Sequence, residues 1–232
     1  MKKSTPPKVP SPRTARFKAA WKRVQWRVQI GSLNFLKRAL DIAVVLPALL
    51  ILSPLFIGVA LFIRLHDGGP VLYWQKRVGR RGKEFNFPKF RSMCVDSDAM
   101  RAKIAAENQH GKDGVTFKMK RDPRITPIGR FIRRFSIDEL PQLWCVLTGK
   151  MTLVGPRPPI PSEVSKYTLR DRERLTVVPG LTCFWQVNGR SEIPFDQQVE
   201  MDIDYIHQRS LWTDIKTLLK TIPAVVFGRG AY

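Results

Sequence analysis

Residues 42–63 run for 22 positions without a charge, bounded by Asp41 and Arg64. As a straight helix the run is about 33 Å long, enough to cross the hydrocarbon core of a bilayer. A membrane helix is therefore expected here, in preference to a buried core helix. It is not a removable signal peptide, because it begins too far into the chain, is too long and lacks a small-residue cleavage pattern. Two features argue against a simple crossing. Pro47 and the pair Ser53-Pro54 interrupt the run, and Pro54 deprives the Leu50 carbonyl of its helical donor. Both flanks are also basic: Lys37 and Arg38 lead in, while Arg64, Lys76, Arg77, Arg80 and Arg81 follow. The positive-inside bias then asks for both ends on the cytoplasmic side. A re-entrant helix-hairpin over 33–66, bending at Ser53 and Pro54, satisfies both observations. A proline-kinked spanning helix is the alternative.

Charge narrows the partners. The chain has 232 residues, 40 Lys+Arg and 19 Asp+Glu, a formal net charge of +21. Such an excess points to nucleic acid, acidic lipid headgroups or phosphorylated substrates. Eleven basic and no acidic residues lie in the first forty. Residues 1–16 are expected to form a basic disordered tail. Residues 17–32 place Trp21, Val24 and Val28 on one helical face with Lys22, Arg23 and Arg27 elsewhere, as in a basic amphipathic helix on an anionic membrane. A helix docked on the protein's own core fits that pattern equally well. Cys94, Cys145 and Cys183 have neither metal-ligand nor redox spacing, and the histidines are scattered. Reduced thiols in a cytoplasmic compartment follow.

Beyond the hydrophobic run, residues 67–227 read as an α+β globular unit, followed by a short tail over 228–232. Residues 71–75 form a strand, 79–82 a turn, and 83–93 a returning strand that sends Lys89 and Arg91 to one side. Two cations aimed together suit a diphosphate, or else protect an exposed sheet edge. Residues 96–111 are expected to be helical and 112–124 a polar connection. In Ser136-Ile137-Asp138-Glu139-Leu140, Ser136 and Glu139 have the spacing of a capping box, which puts two adjacent carboxylates in a first helical turn next to Arg130, Arg133 and Arg134. Such carboxylates can cap a helix, hold a cation or attack a phosphoryl group. In Gly155-Pro156-Arg157-Pro158-Pro159, flanking prolines present Arg157 with little freedom, as a phosphate fork or a surface turn. Residues 179–182 read as a turn, 184–187 as a short strand, and Asn188-Gly189-Arg190 as a tight turn. Residues 211–222 carry an apolar helical stripe, core-facing or interfacial.

In this order, the interrupted hydrophobic helix, Lys89-Phe90-Arg91-Ser92-Met93, Ser136-Ile137-Asp138-Glu139-Leu140, Gly155-Pro156-Arg157-Pro158 and Val187-Asn188-Gly189-Arg190 resemble the bacterial sugar transferases. These are monotopic polyprenyl-phosphate hexose-1-phosphate transferases, and the resemblance covers about residues 33–227. It implies a re-entrant anchor fused to a small catalytic unit with a β-hairpin and interfacial amphipathic helices. The implied reaction moves hexose-1-phosphate from a UDP-hexose to undecaprenyl phosphate and releases UMP. Asp138 is the implied nucleophile, and Asp138 and Glu139 the implied holders of Mg²⁺. Lys89, Arg91, Arg133, Arg157, Arg190, Gln186 and Asn188 are the implied substrate- or phosphate-binding residues. The implied location is the cytoplasmic face of a bacterial inner membrane, with both termini inside, on anionic lipids and without a nucleic-acid partner. Val178 and Cys183-Phe184 depart from the family pattern near the expected nucleotide or sugar pocket. A basic membrane scaffold and a nucleic-acid-binding protein are the alternatives from other classes. The uncharged run speaks against the latter.

Overall fold

The structure is a computed structural model that describes residues 12–95, 97, 100, 122–189 and 193–226. Helix α1 (Pro12–Asp67) comes first and runs as one 56-residue element through Pro47 and Pro54. Ser53 meets the backbone problem that Pro54 creates: its Oγ donates to the Leu50 carbonyl at 2.7 Å, the acceptor whose helical partner Pro54 lacks. Val45, Ala48, Leu52, Phe56, Val59 and Ile63 recur at three- and four-residue spacing and pack into two apolar clusters shared with the rest of the protein. The other faces of α1 are apolar and exposed, with Ile51 at 76% and Leu65 at 74%. A helix inside a soluble core would not leave them so. Among the described residues, this is one helix long and apolar enough to anchor in a membrane.

Strands β1 (Leu72–Val78) and β2 (Glu84–Phe90) pair antiparallel, with Tyr73 opposite Lys89. Arg81 and Gly82, both at positive φ, make the turn. The returning strand is thus shorter than the 83–93 expected. Arg91 lies just past its end, although its amide still donates to the Val71 carbonyl at 2.9 Å. Helix α2 (Pro127–Arg134) is capped by the Thr126 hydroxyl, which accepts from the Gly129 amide at 2.9 Å. Gly129 lies so close to the Ser92 carbonyl that a Cβ would come within 1.9 Å of it.

Residues Ile137–Gln142 form a 3-10 turn that leads directly into α3 (Leu143–Leu147). The expected capping box is absent. Ser136 adopts the left-handed conformation (φ 55°, ψ 22°), and its side chain caps nothing. Pro141 has no amide hydrogen to give the Ile137 carbonyl, so a regular α-helical first turn cannot close here.

Strand β3 (Thr152–Val154) pairs in parallel with β4 (Gly180–Thr182), where a turn was expected. The pairing works because Gly155 and Gly180 touch backbone to backbone. A Cβ on Gly180 would fall 2.0 Å from the Gly155 amide nitrogen. The short α4 (Pro161–Val164) lies between them. Residues Phe184–Asn188, expected as a strand over 184–187 and a turn from Asn188, are helical and form α5. Their aromatic and β-branched composition favours a strand, but packing decides: winding buries Trp185 and sets Phe184 edge-on to Tyr205 at 5.2 Å.

Helices α6 (Phe195–Gln208) and α7 (Leu211–Val226) complete the described chain. The stripe expected over 211–222 is split. Leu218 packs into the core and Asp214 is buried, whereas Trp212, Leu219 and Ile222 are exposed.

Three polar side chains fasten α1 to this unit. Lys37 donates to the Val154 carbonyl at 2.8 Å and to the Tyr205 hydroxyl at 3.0 Å, and it ion-pairs with Asp214. Arg38 donates to the Val146 and Leu147 carbonyls at the end of α3. Asp41 accepts from the Thr152 hydroxyl at 3.0 Å and the Leu153 amide at 2.9 Å. Lys37 and Arg38 are thus structural ties as well as charges flanking a membrane segment.

Candidate active site

The 3-10 turn carries Asp138 and Glu139. Ile137 and Leu140 on either side pack into the two clusters shared with α1, which fixes the turn against the apolar helix. Asp138 is buried. Lys89, delivered by β2, lies 2.7 Å from Glu139 Oε1 and 3.9 Å from Asp138 Oδ2. Arg157 reaches the same Glu139 oxygen at 3.4 Å.

The loop that presents Arg157 is held at several points. Pro156 and Pro158 are fully buried. The Gly155 amide donates to the Thr182 carbonyl at 3.0 Å, the Gly180 amide to the Pro156 carbonyl at 2.9 Å, and the Val78 amide to the Pro159 carbonyl at 2.8 Å. Arg77 Nη1 donates to the Pro158 carbonyl at 2.9 Å, with its guanidinium 5.1 Å above the Phe87 ring. Arg157 is therefore a rigidly mounted cation, as its flanking prolines suggest.

The other expected residues are placed as follows. Arg133 donates to Ser92 Oγ at 2.8 Å, and its charge acts on Asp138. Arg91 packs its guanidinium against Gly69 and lines a small cavity with Ile63, His66, Met93, Thr126 and Ile128. Of the two cations expected on one side of the strand, Lys89 is the one at the carboxylates. Gln186 Oε1 accepts from Cys183 Sγ at 3.0 Å, and the Asn188 side chain donates to the Phe184 carbonyl at 2.9 Å. Both are engaged within α5 and the residue before it. Arg190 lies outside the described residues, as do most of the helix expected over 96–111 and the tail over 228–232.

The sequence pattern missed Arg77, which it treated only as part of a basic flank. Its signal was faint: an arginine at the end of a strand, on the side that turns inward. The buried pair Arg174–Asp202, at 2.6 Å, was also missed. It ties residues 171–176 to α6, with Arg174 donating to the Tyr167 hydroxyl at 3.0 Å. Burial pushes Asp202 up to about 6 against the pull of Arg174.

The electrostatics split the two adjacent carboxyls. Burial raises Asp138 above the ordinary aspartate value; Lys89 opposes this and the charge of Glu139 adds to it. Burial works on Glu139 too, but Lys89 and Arg157 outweigh it and hold Glu139 well below the usual range. Burial lowers Arg77 to about 10, and the charge of Arg157 works in the same direction. The site is therefore rich in positive charge around one ionised glutamate and one more basic aspartate. It suits a phosphorylated anion and a carboxylate nucleophile.

Among the described residues, no group of three His, Cys, Asp or Glu side chains comes together to hold a metal. The pair still fits Mg²⁺, which commonly takes one or two carboxylates and completes its shell with water and substrate phosphate.

Comparison with known proteins gives the family. The family model for "Bacterial sugar transferase" matches residues 32–228. The chain is 47% identical over 196 residues to "Galactosyl transferase CpsE" of Streptococcus agalactiae, covering 84% of this chain and 43% of that protein. It is 43% identical to "Undecaprenyl-phosphate galactose phosphotransferase" of Salmonella typhimurium, covering 90% of this chain and 44% of that protein. Against "Exopolysaccharide production protein ExoY" of Sinorhizobium fredii it is 37% identical, covering 88% of this chain and 90% of that protein. The chain thus spans less than half of the first two relatives and nearly all of the third. The matched region takes in the apolar part of α1, the carboxylate pair and the Gly-Pro-Arg-Pro loop together, and the chain belongs to the bacterial sugar transferase family.

Proposed function

We propose that this protein transfers a hexose-1-phosphate from a UDP-sugar to undecaprenyl phosphate, releasing UMP, as a membrane step in exopolysaccharide or other surface-glycan synthesis. The observation that carries this reading is the placement of Asp138. It is buried, ringed by Lys89, Arg133 and Arg157, and set on a turn whose apolar residues pack against the clusters shared with the membrane helix. A soluble phosphorylated donor and a lipid phosphate can meet there. The names of the relatives point to the same acceptor and sugar chemistry.

In this mechanism an Asp138 oxygen attacks the sugar-proximal phosphorus. The bond from that phosphorus to the bridging oxygen breaks, and UMP leaves with the electron pair. A phosphosugar–aspartyl acyl phosphate remains. An oxygen of the lipid phosphate then attacks the same phosphorus, and breaking the aspartyl–phosphorus bond regenerates the carboxylate. Arg157 and Lys89 bind the donor's phosphates, and Arg133 adds positive charge beside Asp138. Asp138 and Glu139 would hold Mg²⁺, which when bound offsets the charge of the diphosphate and of departing UMP. Burial raises the basicity of Asp138, which strengthens its carboxylate as a nucleophile.

The anchor is re-entrant in this proposal, with both termini cytoplasmic. The globular unit lines one face of α1 from Val45 to Ile63, the length that a straight crossing would place in lipid on every side. The exposed apolar side of α7 lies in the interface. The reading is tested by UMP release across a panel of UDP-sugars, with and without undecaprenyl phosphate. Without acceptor, the peptide containing Asp138 should gain the mass of the sugar phosphate. Single cysteines near residues 5 and 230, in a Cys-free background, should resist an impermeant thiol reagent until the membrane is opened. Labelling of one end alone in intact cells contradicts the re-entrant anchor.

A further inference from the structure

The two cations that a diphosphate would meet already have a partner. Lys89 and Arg157 both point at Glu139 Oε1, at 2.7 and 3.4 Å, and Lys89 also stands 3.9 Å from Asp138 Oδ2. The side chains are mostly withdrawn from water, Lys89 19% and Glu139 20% exposed, so solvent screens the contact poorly. Lys89 is further steadied by the Phe87 ring, 5.7 Å away, on a strand whose register is set by pairing with β1. Glu139 is also one of the two carboxylates that would hold a divalent cation. In the free site, therefore, a lysine ammonium neutralises the group a metal ion requires, and its charge repels that ion. An incoming diphosphate changes the balance, because it offers Lys89 and Arg157 several anionic oxygens in place of one.

We propose that Lys89 is a resident counter-ion. It holds Glu139 in the free site, passes to the phosphates of the arriving nucleoside-diphosphate sugar, and so admits the divalent cation with the donor rather than before it. This rests on the proposed function and adds an order of binding to it. The signature is a pair of opposite effects. If Lys89 only bound phosphate, its loss would weaken the donor and leave the metal alone. If it were only a strut, its loss would weaken both.

The probe is Mn²⁺, with free ion measured by electron paramagnetic resonance, added to the full chain in lipid nanodiscs without nucleotide. Lys89→Met should bind Mn²⁺ about tenfold tighter than wild type, the size of effect expected from removing one close like charge. The same variant should bind UDP more weakly. Lys89→Arg should stay near wild type for Mn²⁺, and adding Glu139→Gln to Lys89→Met should cancel the gain. Thermal unfolding verifies that each variant is folded. Lys89→Gln and Arg157→Gln are measured in the same way, so the question is decided even if Lys89→Met does not fold. Equal or weaker Mn²⁺ binding by folded Lys89→Met and Lys89→Gln overturns the counter-ion role, while Mn²⁺ binding by wild type with UDP-sugar would leave the metal reading intact. Failure of every form to bind Mn²⁺, with or without UDP-sugar, overturns both. Tighter Mn²⁺ binding by Lys89→Met together with full turnover by Asp138→Asn upholds the counter-ion and removes only the nucleophile assignment.

Discussion

Two of the buried charge clusters in the protein are built on opposite plans. Where α1 meets the globular unit, Lys37 has three acceptors, Arg38 two carbonyls and Asp41 two donors. That cluster is saturated. Around Asp138 and Glu139, two cations share a single glutamate oxygen, a third cation acts from Ser92's side, and Lys89 stands 3.9 Å from the aspartate. That cluster has positive charge to spare. A saturated network can only hold a shape, whereas an unbalanced one has something left to offer an anion.

The contrast can be broken at either end. The largest effect is expected from Asp138→Asn, which keeps the shape and removes the anionic nucleophile. Turnover should fall by about a thousandfold or more, about 4 kcal/mol of transition-state stabilisation, with folding and membrane attachment unchanged. UMP release by the variant at a rate near wild type would remove Asp138 from the chemistry. Next comes Lys37→Met, which leaves Asp214 buried without its cation and should cost about 3 kcal/mol of stability. Pairing it with Asp214→Asn should recover much of that loss in thermal unfolding, as expected of a structural tie. A lack of coupling between the two would argue against the saturated cluster.

Arg157→Lys is a smaller test of the unbalanced cluster. A point charge replaces a planar fork, and kcat/KM should drop about tenfold, or about 1.4 kcal/mol. Kinetics equal to wild type would remove the planar fork of Arg157 from phosphate binding. The smallest expected effect is on pH dependence. Because burial raises Asp138, its protonation should cut kcat/KM on the acid side at a pH above the ordinary aspartate value of about 4, as one proton binds. Glu139 is held low and should stay ionised across that limb. The stability signs are opposite: the raised Asp138 favours the folded state as pH falls, and Glu139 disfavours it once pH drops towards its own low value. An acid limb at or below the ordinary aspartate value would contradict the burial of the nucleophile.

What the sequence disclosed depended on how local the cause was. The anchor was legible because an uncharged run of 22 residues needs no partner to declare itself. The β1–β2 hairpin and the stiff Gly-Pro-Arg-Pro loop followed from local turn chemistry. Asp138, Glu139, Lys89 and Arg157 were singled out from motifs that resemble a family, and the structure brings those four together. The misses have non-local causes. Asn188 looked presented by a tight turn, yet it bonds within a helix wound to bury Trp185. Arg77 looked like one more flanking charge, yet it holds the loop of Arg157 through a carbonyl 81 positions away. Ser136 looked like a cap, but the proline five residues later removes the helix it would have capped. Periodicity and propensity do not contain such facts, because each is settled by what the chain meets after it folds.

The stripe from Val45 to Ile63 also bears on how the protein is made. It precedes in the chain every strand and helix that later covers it, so during synthesis it leaves the ribosome before any of them exists. With the anchor placed in the membrane as proposed above, lipid is its first neighbour on all sides, and the globular unit then displaces lipid from one of them as it folds. On this view the membrane is a template for folding as well as a place of attachment. Refolding the protein away from a bilayer or detergent should leave the unit containing Asp138 without the wall it is built against.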